Sequence, residues 1–330
     1  MSERETGSTA EPDPDSATPG ATQTATAQVG GFGGRQASLT ADAWRELRRN
    51  PLFILSAVII VLMLAISVVP GLFSGIDAKD KEQFPCSLEN SVAGPSAGHW
   101  FGFDLQGCDY YSRVIYGARP SITIGLVVVA LSVIIAVVVG TVSGFYGGLI
   151  DTLVSRITDV FFGIPFILGA IVFLSAVQGV EVFGFFTLER GVLTVIIALT
   201  LFGWTTLTRL MRSSVLSARD MDYVQAARAL GASNLRLMVR HILPNAITPV
   251  VVYGTVSVGL IIAAEATLSF LGIGLQTPAI SWGLMISESQ RRIQTSPHLL
   301  LFPGLFLSVT VLAFLMLGDA VRDAFDPKLR

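Results

Sequence analysis

Charge is scarce in this chain. Asp, Glu, Lys and Arg make up 14% of its 330 residues, against roughly a quarter in soluble domains. With 52% hydrophobic residues and a mean hydropathy of +0.65, that deficit excludes a soluble globule and leaves a polytopic membrane protein. The net charge of −2 says little, because in a membrane protein the distribution of charge outweighs its total. Cysteine is nearly absent: the two present form no Cys/His group with metal-ligand spacing, so no metal site is expected. Histidine is limited to His99, His241 and His298, too scattered for a triad. There is no P-loop and no dinucleotide-type glycine fingerprint, so the chain has no means of its own to hydrolyse ATP. Nor do the apolar stretches hold a Ser/His pair, paired aspartates or HExxH, which argues against an intramembrane hydrolase.

What the sequence does have is long apolar runs. Pro51 to about Val69 supplies the ~20 residues needed to cross the hydrocarbon. Further runs at roughly 121–145, 155–178, 191–211, 245–271 and 299–318 bring the expected spans to six, in an all-α fold. Residues 1–38 are Ser, Thr, Ala, Gly, Pro and acids without apolar periodicity, which predicts a disordered tail. The tail has neither the basic start nor the apolar stretch of a signal peptide. At 39–50 an amphipathic helix is expected, capped by Thr40 and carrying Trp44, Arg45, Leu47, Arg48 and Arg49. The tryptophan suits a membrane interface, and the arginines suit the anionic cytoplasmic leaflet. Residues 51–120 then comprise the first span and a polar segment, and 121–330 a five-span core.

Basic residues set the orientation. The stretch from Arg209 to His241 holds six arginines against two aspartates, and Arg45, Arg48 and Arg49 precede the first span. The positive-inside rule assigns both to the cytoplasm, so six spans put both termini inside. The segment with Cys86 and Cys108 falls outside, where oxidation is permitted. The two cysteines either bridge, pinning a loop near the mouth, or remain two small unpaired residues.

One polar-faced stretch, from Asp222 to Asn245, is stranded among the spans. Asp222 and Gln225 fit a capping box, and Ala226, Ala227, Ala229 and Leu230 favour helix. Gly231 suits a left-handed helix end, and Ser233 suits the cap of a second helix. That second helix would present Leu235, Leu237, Met238 and Ile242 as its apolar face, with Pro244 in the first turn of the next helix. A plain reading of the pattern is an amphipathic helix lying on the membrane surface.

This stretch resembles the EAA loop of bacterial ABC-importer permeases. Gln225-Ala226-Ala227, Gly231 and Ile242-Leu243-Pro244 occupy the positions of that family's Glu-Ala-Ala, Gly and Ile-x-Leu-Pro. The resemblance implies the type I permease fold with six transmembrane helices. It also implies that Gln225, Ala226, Ala227, Arg228, Leu230, Gly231, Ala232 and Ser233 couple the chain to a cytoplasmic ATPase. Gln225 keeps the length and capping ability of the family glutamate but loses its charge. Residues 99–119 are similar to the HxLGTDxxGRDxxSRxxxGxR segment of peptide permeases through Gly102, Asp104, Gly107, Asp109, Ser112, Arg113, Gly117 and Arg119. Phe103 and Cys108 depart from it. EATLSFLGIGLQTPAISWGLM from Glu265 and LGDAVRDAFDPKLR from Leu317 narrow the resemblance to C-type subunits of the dipeptide/oligopeptide/nickel branch.

That branch implies an importer of di- or oligopeptides in the inner (plasma) membrane, or alternatively of nickel or another small solute. The implied partners are a second homologous permease, cytoplasmic ABC ATPases, an extracytoplasmic substrate-binding protein and membrane lipid, with no nucleic acid. ATP and Mg would be bound by the ATPases and no cofactor by this chain. A simple channel would have no use for a coupling loop.

The remaining candidates have structural readings beside functional ones. Pro165, inside the expected third span, either kinks it beside a pore or is accommodated by packing. Glu265 either lines the pore or hydrogen-bonds to the LSFLG turn. Arg156 and Asp159, three apart, suit a local helical pair. Gly125, Gly140 and Gly144 suit close helix packing.

Overall fold

The computed structural model describes residues 44–75, 86–177, 180–182, 186–188 and 191–325. The expected tail at 1–38, the Thr40 cap and the last five residues of the carboxyl-terminal motif lie outside the described residues. In chain order the helices are α1 (Pro51–Val68), α2 (Tyr110–Tyr146), α3 (Gly148–Gly163), α4 (Phe166–Ala176), α5 (Val192–Arg219), α6 (Asp222–Ala229), α7 (Thr248–Phe270), α8 (Trp282–Ser289) and α9 (His298–Phe325). Between α4 and α5, β1 (Val180–Val182) pairs antiparallel with β2 (Phe186–Leu188) as a short hairpin within the expected all-α fold.

Among the described residues, α1, α2, α5, α7 and α9 are each long and apolar enough to cross a membrane. A sixth span exists only if α3 and α4 are taken together, and these are bent by 86°. The expected span at 155–178 is therefore a sharply broken one, in line with the kinking alternative for Pro165. Its amino-terminal half belongs to a helix that begins at Gly148, and Pro165 stands at the cap of α4, where its ring ends the preceding helix. With 11 residues, α4 is only about 16 Å long and cannot span alone. The second span also differs from expectation, beginning at Tyr110 instead of near 121 and reaching about 55 Å over 37 residues. Pro120 lies inside it, a position that transmembrane helices tolerate when neighbours re-satisfy the freed backbone.

Lipid removes the hydrophobic drive between helices, so close packing must hold them together. The α2–α5 pair shows how. A side chain at Gly140 would come within 2.8 Å of the Met211 Cβ, and one at Gly144 within 2.9 Å of the Arg212 carbonyl oxygen. Earlier along α2, Gly125 makes room for Ile262 of α7. Gly259 and Gly318 let α7 and α9 approach in the same way. Ile124, Val128, Leu199, Ile262 and Leu268 fill the resulting core.

One end of the bundle is closed by polar bonds. Cys86 and Cys108 form a disulfide, and the Asp104 carboxylate accepts from the Gln106 and Cys108 amides at 2.8 Å while pairing with Arg113. Asp109 caps α2 by accepting from the Ser112 amide at 2.8 Å, and its other oxygen meets His99 Nδ1 at 2.8 Å. The Trp282 indole donates to the Val114 carbonyl at 2.9 Å, tying α8 to α2. Glu288 reaches Arg113 at 3.4 Å; burial pushes its carboxyl up from the usual range, against the opposing pull of that arginine. The motif residues at 102–117 thus serve a common structural purpose.

Candidate functional site

The candidate site is the loop from Met221 to Pro244. Helix α6 is held by a single fully buried side chain, Val224, set among Val215 and Ala218 of α5 and Leu237 and Ile242 of the loop's second half. Its start differs from expectation. Asp222 is already helical and Met221 takes the cap position, with φ −72° and ψ 147° and no side-chain bond to the helix. The capping box of Asp222 with Gln225 is therefore not formed. An aspartate in the first turn still complements the helix dipole.

The helix end follows the glycine reading. Gly231 has φ +84°; its amide donates to the Arg228 carbonyl at 3.0 Å, and the Ala232 amide donates to the Ala227 carbonyl at 3.1 Å. These two bonds make a Schellman motif, which satisfies carbonyls that the helix end would leave open. Ser233 stands at the cap of the next helix with extended backbone but makes no side-chain capping bond.

Beyond it the chain widens into a π-helical turn over Leu237–Ile242, in which the Leu243 amide donates to the Met238 carbonyl. Pro244 explains the widening, since its ring would crowd the carbonyl four residues back in an ordinary α-turn. Leu237, Met238 and Ile242 are buried as expected, but Leu235 is 68% exposed and faces away from them.

Two polar contacts brace α5, the helix that leads into the loop, against α2 and α3. The Arg212 side chain of α5 clasps Asp151 of α3, which also accepts from the Ser143 hydroxyl at 2.6 Å. Arg219, at the end of α5, donates to the Gly144 carbonyl at 2.9 Å. Sequence spacing does not reveal these partners, because they lie far apart in the chain; the only signal is an arginine and an aspartate near apolar runs. Asp159 accepts from Arg209 of α5 at 2.6 Å and not from Arg156. The expected local pair is thus replaced by one across helices, because α3 lies against α5.

Of the residues singled out in the sequence, Gln225, Ala226, Arg228, Leu230, Gly231 and Ser233 are exposed together on this loop, whereas Ala227 and Ala232 turn partly inward against the Val224 cluster. Leu230 is 89% exposed, and Met221 and Tyr223 are also open. The loop thus exposes apolar side chains beside Arg228, Arg236 and Arg240, above a buried base.

Pro165 and Glu265 part company. Pro165 lines a cavity of about 510 Å³ between α2, α3, α4, α5 and α7, with Phe161, Phe202, Tyr253, Ser132 and Ser257. The lining contains no charged residue, and the buried Ser132 hydroxyl has no partner among the described residues. Glu265 is absent from this wall. It is fully buried, and its Oε1 accepts from the Ser269 hydroxyl at 2.8 Å and the Ser281 hydroxyl at 3.1 Å. Ser269 Oγ in turn accepts from the Leu275 amide at 3.0 Å. Of the two readings of Glu265, these bonds fit the structural one: it fastens the turn after α7 to the start of α8.

Comparison with known proteins agrees with this architecture. Residues 136–330 match the family described as binding-protein-dependent transport system inner membrane component, and residues 38–85 match the N-terminal TM domain of oligopeptide transport permease C. The chain is 37% identical to the dipeptide transport system permease protein DppC of Alkalihalophilus pseudofirmus, over 88% of this chain and 90% of that one. It is 37% identical to the oligopeptide transport system permease protein OppC of Bacillus subtilis, over 89% and 91%. The glutathione transport system permease protein GsiD of Escherichia coli is 36% identical over 88% and 90%.

Proposed function

The chain belongs to the family of binding-protein-dependent transport inner membrane components, and from that membership we propose a permease subunit of an ATP-driven importer of di- and oligopeptides. It is a multi-pass membrane protein. In this reading both termini and the 221–244 loop face the cytoplasm, and the disulfide-closed end faces outward. The partners are a second homologous permease, two ATPase subunits or domains, and an external substrate-binding protein.

A single observation carries the coupling role: α6 is footed by Val224 in the α5 cluster while Leu230 and Arg228 stand free for a partner. A lever needs both properties. Closure of the ATPases on nucleotide would push the exposed side of α6. Val224 and the Arg212–Asp151 clasp would pass that push to α5, α2 and α3, tilting the spans between outward and inward access. The charge-free cavity beside the 86° break fits one wall of the path. Hydroxyls there offer bonds to peptide backbone, while aromatic and aliphatic walls accept side chains of varied shape.

Reconstitution with the cognate binding protein and ATPases tests the proposal. Uptake of a labelled dipeptide should require ATP and the binding protein. Uptake of nickel or glutathione with no peptide uptake would replace peptide with that solute.

A further inference from the structure

We propose that residues 44–49 form a binding site for the phosphate of an anionic phospholipid headgroup. Trp44, Arg45, Arg48 and Arg49 enclose an open pocket of about 390 Å³ immediately before the first span. The pocket is held in shape from beneath. Leu47, on the opposite side of the helical turn, is buried against Ala320 and Ala324 near the end of α9, with Phe53 and Val321 beside it. The Trp44 ring meets Phe53 edge-on at 6.3 Å. Asn50 then closes the turn, its side chain accepting from the Leu52 amide at 2.9 Å as α1 begins. The arginines are therefore carried on an anchored frame.

Charge and position select the ligand. The segment holds three arginines against one acid, Glu46. Among the described residues neither Arg48 nor Arg49 is in an ion pair; the Arg48 guanidinium instead lies 4.7 Å from the Trp44 ring centroid. Stacking on a tryptophan keeps the full positive charge and leaves the guanidinium edge open for bidentate bonds to a phosphodiester. The next residues along the chain, Leu52, Ile54 and Leu55, are exposed apolar side chains at the start of α1. A lipid bound here would set its phosphate on the arginines and its acyl chains along α1, whereas a soluble phosphate compound would gain nothing from that strip.

The test uses the full-length chain purified with its partner subunits and measures retained phosphatidylglycerol after exchange into phosphatidylcholine nanodiscs. The wild type should keep phosphatidylglycerol. Arg48→Gln/Arg49→Gln should keep roughly 30-fold less, on the scale of two basic residues at an anionic surface. Arg291→Gln/Arg292→Gln, an exposed pair elsewhere in the chain, should match the wild type. Equal retention by the Arg48/Arg49 variant, or equal loss by the Arg291/Arg292 variant, overturns the site. Displacement by inorganic phosphate as effective as by short-chain phosphatidylglycerol would make it a soluble-phosphate site and overturn the lipid assignment. Many-fold higher retention after deletion of residues 2–37 would show that the acidic tail is the occupant, and would also overturn it.

Discussion

The Ala232 amide reaches back over Gly231 to the Ala227 carbonyl at 3.1 Å, and this bond fixes the angle at which α6 leaves the loop. It requires Gly231 at φ +84°, a left-handed conformation that costs other L-residues about 1–2 kcal/mol. A Cβ at Gly231 would meet nothing within 4 Å, so any penalty there is conformational and not steric crowding by neighbours.

Substitution at Gly231 should therefore follow left-handed tolerance and not side-chain size. Gly231→Asn should retain most substrate-stimulated ATPase activity in the reconstituted importer, and Gly231→Val should lose most of it while still inserting. Wild-type activity in Gly231→Val would show that the helix end does not govern coupling.

The disulfide closes a loop with a sequence separation of 22 and, on the chain-entropy model, stabilises that end of the bundle by about 3 kcal/mol. A membrane-impermeant thiol reagent should label neither Cys86 nor Cys108 in whole cells until a reductant is added. Labelling without reductant would mean that the bridge does not persist in the cell.

At Glu265 the distinction lies between an acceptor and a charge. Glu265→Gln keeps an oxygen for Ser269 and Ser281, so thermal stability and uptake should stay near wild type. Glu265→Ala leaves buried hydroxyls without their acceptor, at about 1–3 kcal/mol, and should lower the melting temperature. Because Glu265 is not in the cavity wall, neither change should alter the KM for peptide; a raised KM in Glu265→Gln would return it to the path.

Glycines of similar appearance should differ sharply. Gly140→Val forces a side chain against Met211 and the Thr208 carbonyl and should cut the yield of folded protein. Gly203→Ala meets its nearest neighbour at 3.7 Å and should be tolerated. Comparable yields of the two variants would mean that α2 and α5 are not packed as closely as described.

These contrasts show what the sequence made legible. Span positions could be read because hydrocarbon thickness dictates run length, and the 221–244 loop because Gly231 and Pro244 punctuate it through backbone chemistry alone. The broken span could not, since residues 160–177 read as one uncharged, mostly apolar run and Pro165 signals a bend without its size. Asp159 misled because the local partner, Arg156, was visible in the sequence and the distant one, Arg209, was not. Asp222 misled by one position: its side chain suits a cap, but the backbone turns helical at Asp222 itself, leaving Met221 outside. Which side of α6 is buried rested on Val224, whose anchoring partners come from both flanking segments.

The proposed coupling role requires the ATPase to engage the exposed tip of the 221–244 loop. Leu230→Glu places a charge on that tip, while Leu72→Glu places one on a comparably exposed leucine, 80% open, just beyond the far end of α1. Both variants should insert in the membrane and copurify with the second permease. Measured by copurification of the ATPase at matched expression, Leu230→Glu should lose most of the ATPase and Leu72→Glu should retain it. Full retention of the ATPase by Leu230→Glu would contradict the account.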